Sequence, residues 1–160
     1  MKTAKIYVSL VAAIMLLSFA AQAEVKVEMK AEKVSIQNGK ESKASAEKAA
    51  PGDIVQYTAI YKNKDKSPAK QVLATLPIPV GTEYVSGTAI PAGATASTDG
   101  TKFASIPLKR MVKNAEGKTI EQEVPFSEYR ALRWSFGELA GGESRTVSAR
   151  VKFRTKPATR

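Results

Sequence analysis

Apolar and polar residues alternate with a period of two along most of this chain, and that rhythm confines it to strands rather than helices. Val25, Val27, Met29 and Ala31 point one way while Lys26, Glu28, Lys30 and Glu32 point the other, as in a half-buried strand. The pattern slips by one at Lys33 before Val34 and Ile36 continue it, which predicts a β-bulge. Asn38-Gly39 predicts a tight hairpin turn, since both residues tolerate positive φ. The returning arm, Lys40 to Lys48, fits an edge strand, a short helical turn or a solvated loop, and edge strand is preferred.

The turn Ala50-Pro51-Gly52-Asp53 leads into a strand with Val55, Tyr57, Ala59 and Tyr61 on one face, ended by the polar turn from Asn63 to Pro68. Val72, Ala74 and Leu76 alternate next, closed by Pro77 and Pro79, and Gly81-Thr82 starts a short segment through Val85. Ile106–Val112 and Lys118–Val124 form a further hairpin around Asn114-Ala115-Glu116-Gly117. A four-residue loop there sets Met111 opposite Ile120 and Arg110 opposite Glu121. Leu132, Trp134 and Phe136 share a face of a strong strand, and Val147, Ala149, Val151 and Phe153 share a face of the last. Tyr57, Leu132, Trp134 and Phe136 are the expected structural core. About eight or nine short strands at such spacing predict an all-β antiparallel sandwich.

Ahead of these strands, Lys2 and Lys5 precede an apolar run from Ile6 to Ala21, which closes on Ala21-Gln22-Ala23. A basic start, an apolar middle and a small-x-small exit describe a secretory signal peptide, residues 1–23, cut after Ala23. The competing reading, an uncleaved anchor, needs roughly 20 apolar residues and has no use for the exit motif. The expected exported chain therefore starts at Glu24. It consists of one sandwich domain, 24–155, and a frayed tail, 156–160, with no membrane anchor of its own; it is soluble, in the periplasm or outside the cell. Having no cysteine, the domain must be stable through packing alone.

With neither His nor Cys, the chain has no Ser-His or Cys-His nucleophile pair and no zinc site of the usual nitrogen and sulfur type. A formal net charge of +10 for the whole sequence points instead to solubility or to polyanionic partners.

Pro51-Gly52-Asp53-Ile54-Val55-Gln56-Tyr57, followed by Tyr61 and Asn63, resembles the opening of the bacterial surface "conserved repeat" known as domain of unknown function 11. The likeness continues through Leu76-Pro77-Ile78-Pro79-Val80-Gly81-Thr82-Glu83-Tyr84-Val85-Ser86-Gly87 and Ser97-Thr98-Asp99-Gly100-Thr101-Lys102-Phe103. It closes with Leu132-Arg133-Trp134 and Leu139-Ala140-Gly141-Gly142-Glu143-Ser144. The resemblance implies an immunoglobulin-like sandwich and suggests no catalytic residue. Such domains usually recur in tandem, whereas a single copy stands here, and the hairpin from Leu108 to Val124 is longer than usual. Variable connections on a rigid scaffold often carry specific contacts, which makes this hairpin a candidate contact site.

Arg150, Lys152 and Arg154 alternate opposite Val151 and Phe153, so three cations share one solvent face. They read either as a contact surface for an anionic polymer or as guards of an edge strand. No aromatic residues interleave with them, which argues against specific nucleic acid binding. Asp65 and Asp99 are expected to serve ordinary turn chemistry rather than calcium binding. Glu121 and Glu123 share a strand face and are expected to partner Arg110 across the hairpin rather than to act as a catalytic pair. The functional expectation is a non-catalytic cell-envelope or secreted structural or protein-interaction module without cofactor or metal, whose partner is another envelope or surface protein. The alternative is a module that binds acidic envelope polysaccharide or another polyanion through the basic face.

Overall fold

The computed structural model describes residues 24–155, so the expected signal peptide (1–23) and tail (156–160) lie outside the described residues. Eleven strands follow one another: β1 (Val25–Gln37), β2 (Lys40–Ser45), β3 (Ile54–Asn63), β4 (Ala69–Pro77), β5 (Thr82–Tyr84), β6 (Thr95–Ser97), β7 (Ala104–Ser105), β8 (Lys109–Lys113), β9 (Thr119–Glu123), β10 (Ala131–Leu139) and β11 (Ser144–Phe153). The arm after Asn38-Gly39 is both of the elements considered for it, a strand to Ser45 and then a single 3-10 turn over Ala46–Lys48. The count exceeds eight or nine because β6 and β7, of three and two residues, are too short to show alternation. Among the described residues no helix is long and apolar enough to cross a membrane.

Two antiparallel sheets pack face to face as a sandwich. One has the order β2-β1-β3-β11-β5 and the other β4-β10-β6-β7, while β8 and β9 form a separate two-stranded ribbon. The chain crosses between the sheets from β3 to β4 and again from β10 to β11. Because β3 pairs with β11 and β4 with β10, these two crossings lie side by side at one end of the sandwich.

The inner faces carry the alternating residues expected of them. Val55 and Ala59 of β3, Val147, Ala149 and Val151 of β11, Ala74 and Leu76 of β4, and Leu132 and Trp134 of β10 are all buried. Trp134 keeps its indole N–H satisfied deep in the fold by donating to the Pro91 carbonyl at 2.7 Å. Phe136 and Tyr57, expected in the core, are half-buried at its margin, and the Phe136 ring meets Tyr61 edge-on at 5.8 Å. The Tyr61 hydroxyl in turn donates to the Thr75 carbonyl and accepts from the Thr75 N–H, both at 2.9 Å. Thr75 lies on β4, an outer strand of its sheet, so this phenol occupies one step of an otherwise open ladder.

The bulge expected at Lys33 does not exist. β1 pairs with β3 in unbroken register from Val25↔Asn63 to Val34↔Ile54, and with β2 equally regularly. The slipped pattern is absorbed by side chains instead. Lys33 stays on the inner face opposite Val55 and extends its ammonium to Asp53 at 2.8 Å, while Val34 is buried on the outer face. Val27 and Met29, on the same inner face, remain 46% and 52% exposed, because the second sheet packs over β3 and β11.

Candidate interaction surfaces

The structure takes apart the basic stripe read from the sequence. β11 is an interior strand between β3 and β5, so its cations guard no edge. Arg150 lies on the outer face opposite Gln56, donates from Nε to Gln56 Oε1 at 3.2 Å, and grips both oxygens of Glu41 from Nη2 at 2.8 Å. Glu41 belongs to β2, so this pair straps the outer face across β1 and β3. Lys152 stands directly opposite Glu83 of β5. Arg154 follows the strand, its N–H donating to the Gly81 carbonyl at 2.9 Å. Arg150 and Lys152 thus share a side of β11, each with an acidic neighbour supplied by a strand that the local sequence does not reveal.

The β8–β9 ribbon is built from its base upward. Leu108 and Val124, the residues just outside the two strands, are buried, and the Val124 N–H donates to the Leu108 carbonyl at 2.8 Å. The Leu108 N–H donates to the hydroxyl of fully buried Tyr129 at 2.7 Å, and burial pushes the pKa of that phenol above its ordinary value. Tyr129 is stacked on Tyr84 at 6.0 Å and meets Phe126 edge-on at 5.2 Å, so an aromatic cluster anchors the root. Arg110 pairs with Glu128 at 2.7 Å, an exposed ion pair between the ribbon and the 3-10 turn that follows it.

Beyond that root the two strands pair only with each other among the described residues, and nine of their ten residues are exposed. Met111 is 64% and Ile120 43% exposed. The register differs from expectation by one: Met111 opposes Glu121, Val112 opposes Ile120, and Arg110 opposes Gln122. Asn114 and Lys118 pair through a 2.9 Å bond, which leaves a three-residue loop with Gly117 at φ 78°. That is a tight turn closed by a left-handed residue, the usual build of a three-residue hairpin loop and a conformation glycine adopts readily. Lys109, not Arg110, pairs with Glu121, at 2.7 Å.

At the end of the sandwich where the crossings meet, Asn63 is the organiser. It is fully buried, because it continues the inward phase of Val55, Ala59 and Tyr61 on β3. Its Nδ2 donates to the carbonyls of Ser67 (2.8 Å), Leu139 (3.0 Å) and Ala140 (3.2 Å), and its Oδ1 accepts from the Asp65 N–H at 3.0 Å. One side chain therefore ties the β3–β4 crossing to the β10–β11 crossing. Gly141 completes the joint, since a Cβ there would overlap the Lys66 carbonyl. The signal for Asn63 was present in the sequence as a polar residue on an apolar face.

Both aspartates singled out earlier work in turns. Asp99 Oδ1 accepts from the N–H groups of Thr101 (2.7 Å) and Lys102 (2.9 Å) and from the Ser97 hydroxyl (2.9 Å). Those backbone donors, that of Lys102 foremost, hold its carboxyl well below the usual range. Asp65 Oδ2 accepts from the backbone nitrogen of Glu24 at 2.6 Å.

An open groove of about 390 Å³ runs between Tyr84, Ala89, Gly93, Thr95, Ser105 and Ile106, and its lining includes three hydroxyl-bearing side chains among small aliphatic groups. Comparison of the chain with protein-family models, with curated proteins and with solved structures finds no match.

Proposed function

We propose that this chain is an exported, non-catalytic interaction module of the cell envelope, and that it holds another envelope or surface protein through the β8–β9 ribbon. The observation that carries the reading is the ribbon itself: a firmly rooted pair of strands with exposed Met111 and Ile120 and, among the described residues, two unpaired edges. Open strand edges offer backbone hydrogen bonds to an added strand, and alternate exposed side chains give the contact its selectivity. Resemblance to the immunoglobulin-like conserved repeat of bacterial surface proteins and the signal-peptide pattern of residues 1–23 support the same reading.

The test is cross-linking in the cell from a photoreactive residue at position 111, with position 80 as control, because Val80 is 80% exposed and lies off the ribbon. A second chain replaces Lys109–Glu123 by a two-residue Asn-Gly turn, which the Leu108–Val124 bond is placed to accept. The expected result is a defined partner captured from position 111 and lost without the ribbon, with folding retained. Identical capture from both positions, or undiminished partner binding without the ribbon, overturns the proposal.

A further inference from the structure

We infer that Asp65 is the seat of the α-ammonium group created at Glu24 when the signal peptide is removed. The inference rests on the export reading above and assigns to the fold a built receptor for its own processed terminus.

Glu24 is the residue before β1, and the β3–β4 crossing holds both of its backbone groups. Its nitrogen donates to Asp65 Oδ2 at 2.6 Å and its carbonyl accepts from the Lys64 N–H at 2.9 Å. The carboxylate is itself held in place: the Asp65 N–H donates to buried Asn63 Oδ1 at 3.0 Å, and the Asp65 carbonyl accepts from the Gly142 N–H at 3.1 Å. In the precursor the nitrogen of Glu24 is a peptide amide with one hydrogen and no charge. After cleavage it is an ammonium with three hydrogens, protonated below its ordinary pKa of about 7.7–8.0. The same contact then becomes a charge-assisted hydrogen bond, roughly twice as strong as a neutral one.

Two independent signals select the same peptide bond. One is the Ala21-Gln22-Ala23 exit pattern, and the other is a folded turn 41 residues later in the chain. A cut one residue earlier would place the amine about 3.3 Å farther along an extended chain. A cut one residue later would delete both the donor to Asp65 and the acceptor for Lys64.

The charged groups around the site are Lys64 and Lys66 beside Asp65 on the turn, Glu143 on the neighbouring crossing, Lys62 on β3, Lys26 and Glu28 on β1 and the side chain of Glu24 itself. They are common to every chain compared below, so their effects cancel. Four chains ending at Arg160 are released from a cleavable fusion, starting at Glu24 or at Ala23, each with Asp65 or with Asp65→Asn. Every strand lies within 24–155, so all four contain the whole sandwich. Urea unfolding at pH 6.5 is followed by Trp134 fluorescence.

Asp65→Asn is expected to lower the folding constant by an extra factor of about 1.5 to 5 in the chain starting at Glu24, the range for exposed ion pairs. Acetylation of the terminal amine is expected to abolish that extra factor. An equal effect in both backgrounds overturns the inference. If Asp65→Asn does not fold, titration of the α-amine in the unaltered chain decides: a pKa above its ordinary range supports the site, and one within or below that range refutes it. N-terminal sequencing of the exported protein is expected to read from Glu24, and a different start overturns the inference while leaving the ribbon proposal standing.

Discussion

Replacing Asn63 tests whether a single buried amide couples the two sheet crossings. Its two amide hydrogens are shared among the carbonyls of Ser67, Leu139 and Ala140, and its oxygen holds the Asp65 N–H, all within 3.2 Å. Asn63→Ala removes about three hydrogen bonds worth about 1–1.5 kcal/mol each at this buried site, so a loss of about 3–5 kcal/mol is expected. That is a large fraction of a domain's total of about 5–15 kcal/mol. With a urea slope near 2 kcal/mol per molar, the midpoint read from Trp134 falls by roughly 2 M.

Asn63→Asp is the sharper variant, since it keeps the volume and the acceptor while turning the donor into an oxygen facing three carbonyls. At pH 7 it should be no more stable than Asn63→Ala. The introduced carboxyl, buried among carbonyl oxygens, has a folded-state pKa above the unfolded value of about 3.9. Folding therefore favours its protonated form. The variant is least impaired below pH 4 and loses stability as pH rises through the folded-state pKa. A loss under about 1 kcal/mol for Asn63→Ala, or wild-type stability of Asn63→Asp at neutral pH, refutes the reasoning.

Gly141→Ala should destabilise by several kcal/mol, because the new Cβ overlaps the backbone carbonyl of Lys66 and must push two crossings apart; a melting temperature within 2–3 °C of wild type, a shift worth about 1 kcal/mol or less, contradicts this. Tyr61→Phe deletes a hydroxyl that both donates to and accepts from Thr75, so a loss of about 1–3 kcal/mol is expected in urea unfolding, together with faster aggregation as the β4 edge opens. Asp99, Glu143 and Asp53 have carboxyls held below their ordinary range by, first, the backbone N–H groups of Lys102 and Ala140 and the ammonium of Lys33. Since the unfolded chain binds these protons more readily, their stabilisation is complete above the unfolded carboxylate values and is lost as pH falls through the folded ones; Asp99→Asn should flatten the acid limb of stability against pH.

Most strands were legible because one buried face imposes a period of two, and the structure keeps that phase from Val55 to Tyr61 and from Val147 to Val151. The bulge at Lys33 illustrates the limit of that rule. A phase slip records a change of which face is apolar, and a long side chain with a partner at the end of the sheet absorbs it without backbone change. Lys33 has that partner in Asp53, brought beside it by pairing of β1 with β3. The ribbon register failed for a different reason: one hydrogen bond between Asn114 and Lys118 decides between a three- and a four-residue loop, and a residue count alone does not contain it.

The surface was harder to read than the core, and the basic stripe shows why. Alternation along β11 correctly puts Arg150 and Lys152 on one side, because facing is a local property of a strand. The charge they present to a partner depends on lateral neighbours, and lateral order is a property of the whole topology. Glu41 lies 109 residues from Arg150 in sequence, yet its carboxylate takes both hydrogen bonds from Nη2. An arginine committed to a carboxylate in this way offers little to a polyanion, because binding the polymer must first break the bidentate pair. The ribbon, by contrast, mixes four basic and three acidic residues between Lys109 and Glu123 and leaves Met111 and Ile120 exposed. A specific protein contact fits such a surface better than a general electrostatic one, since salt screens the second far more than the first.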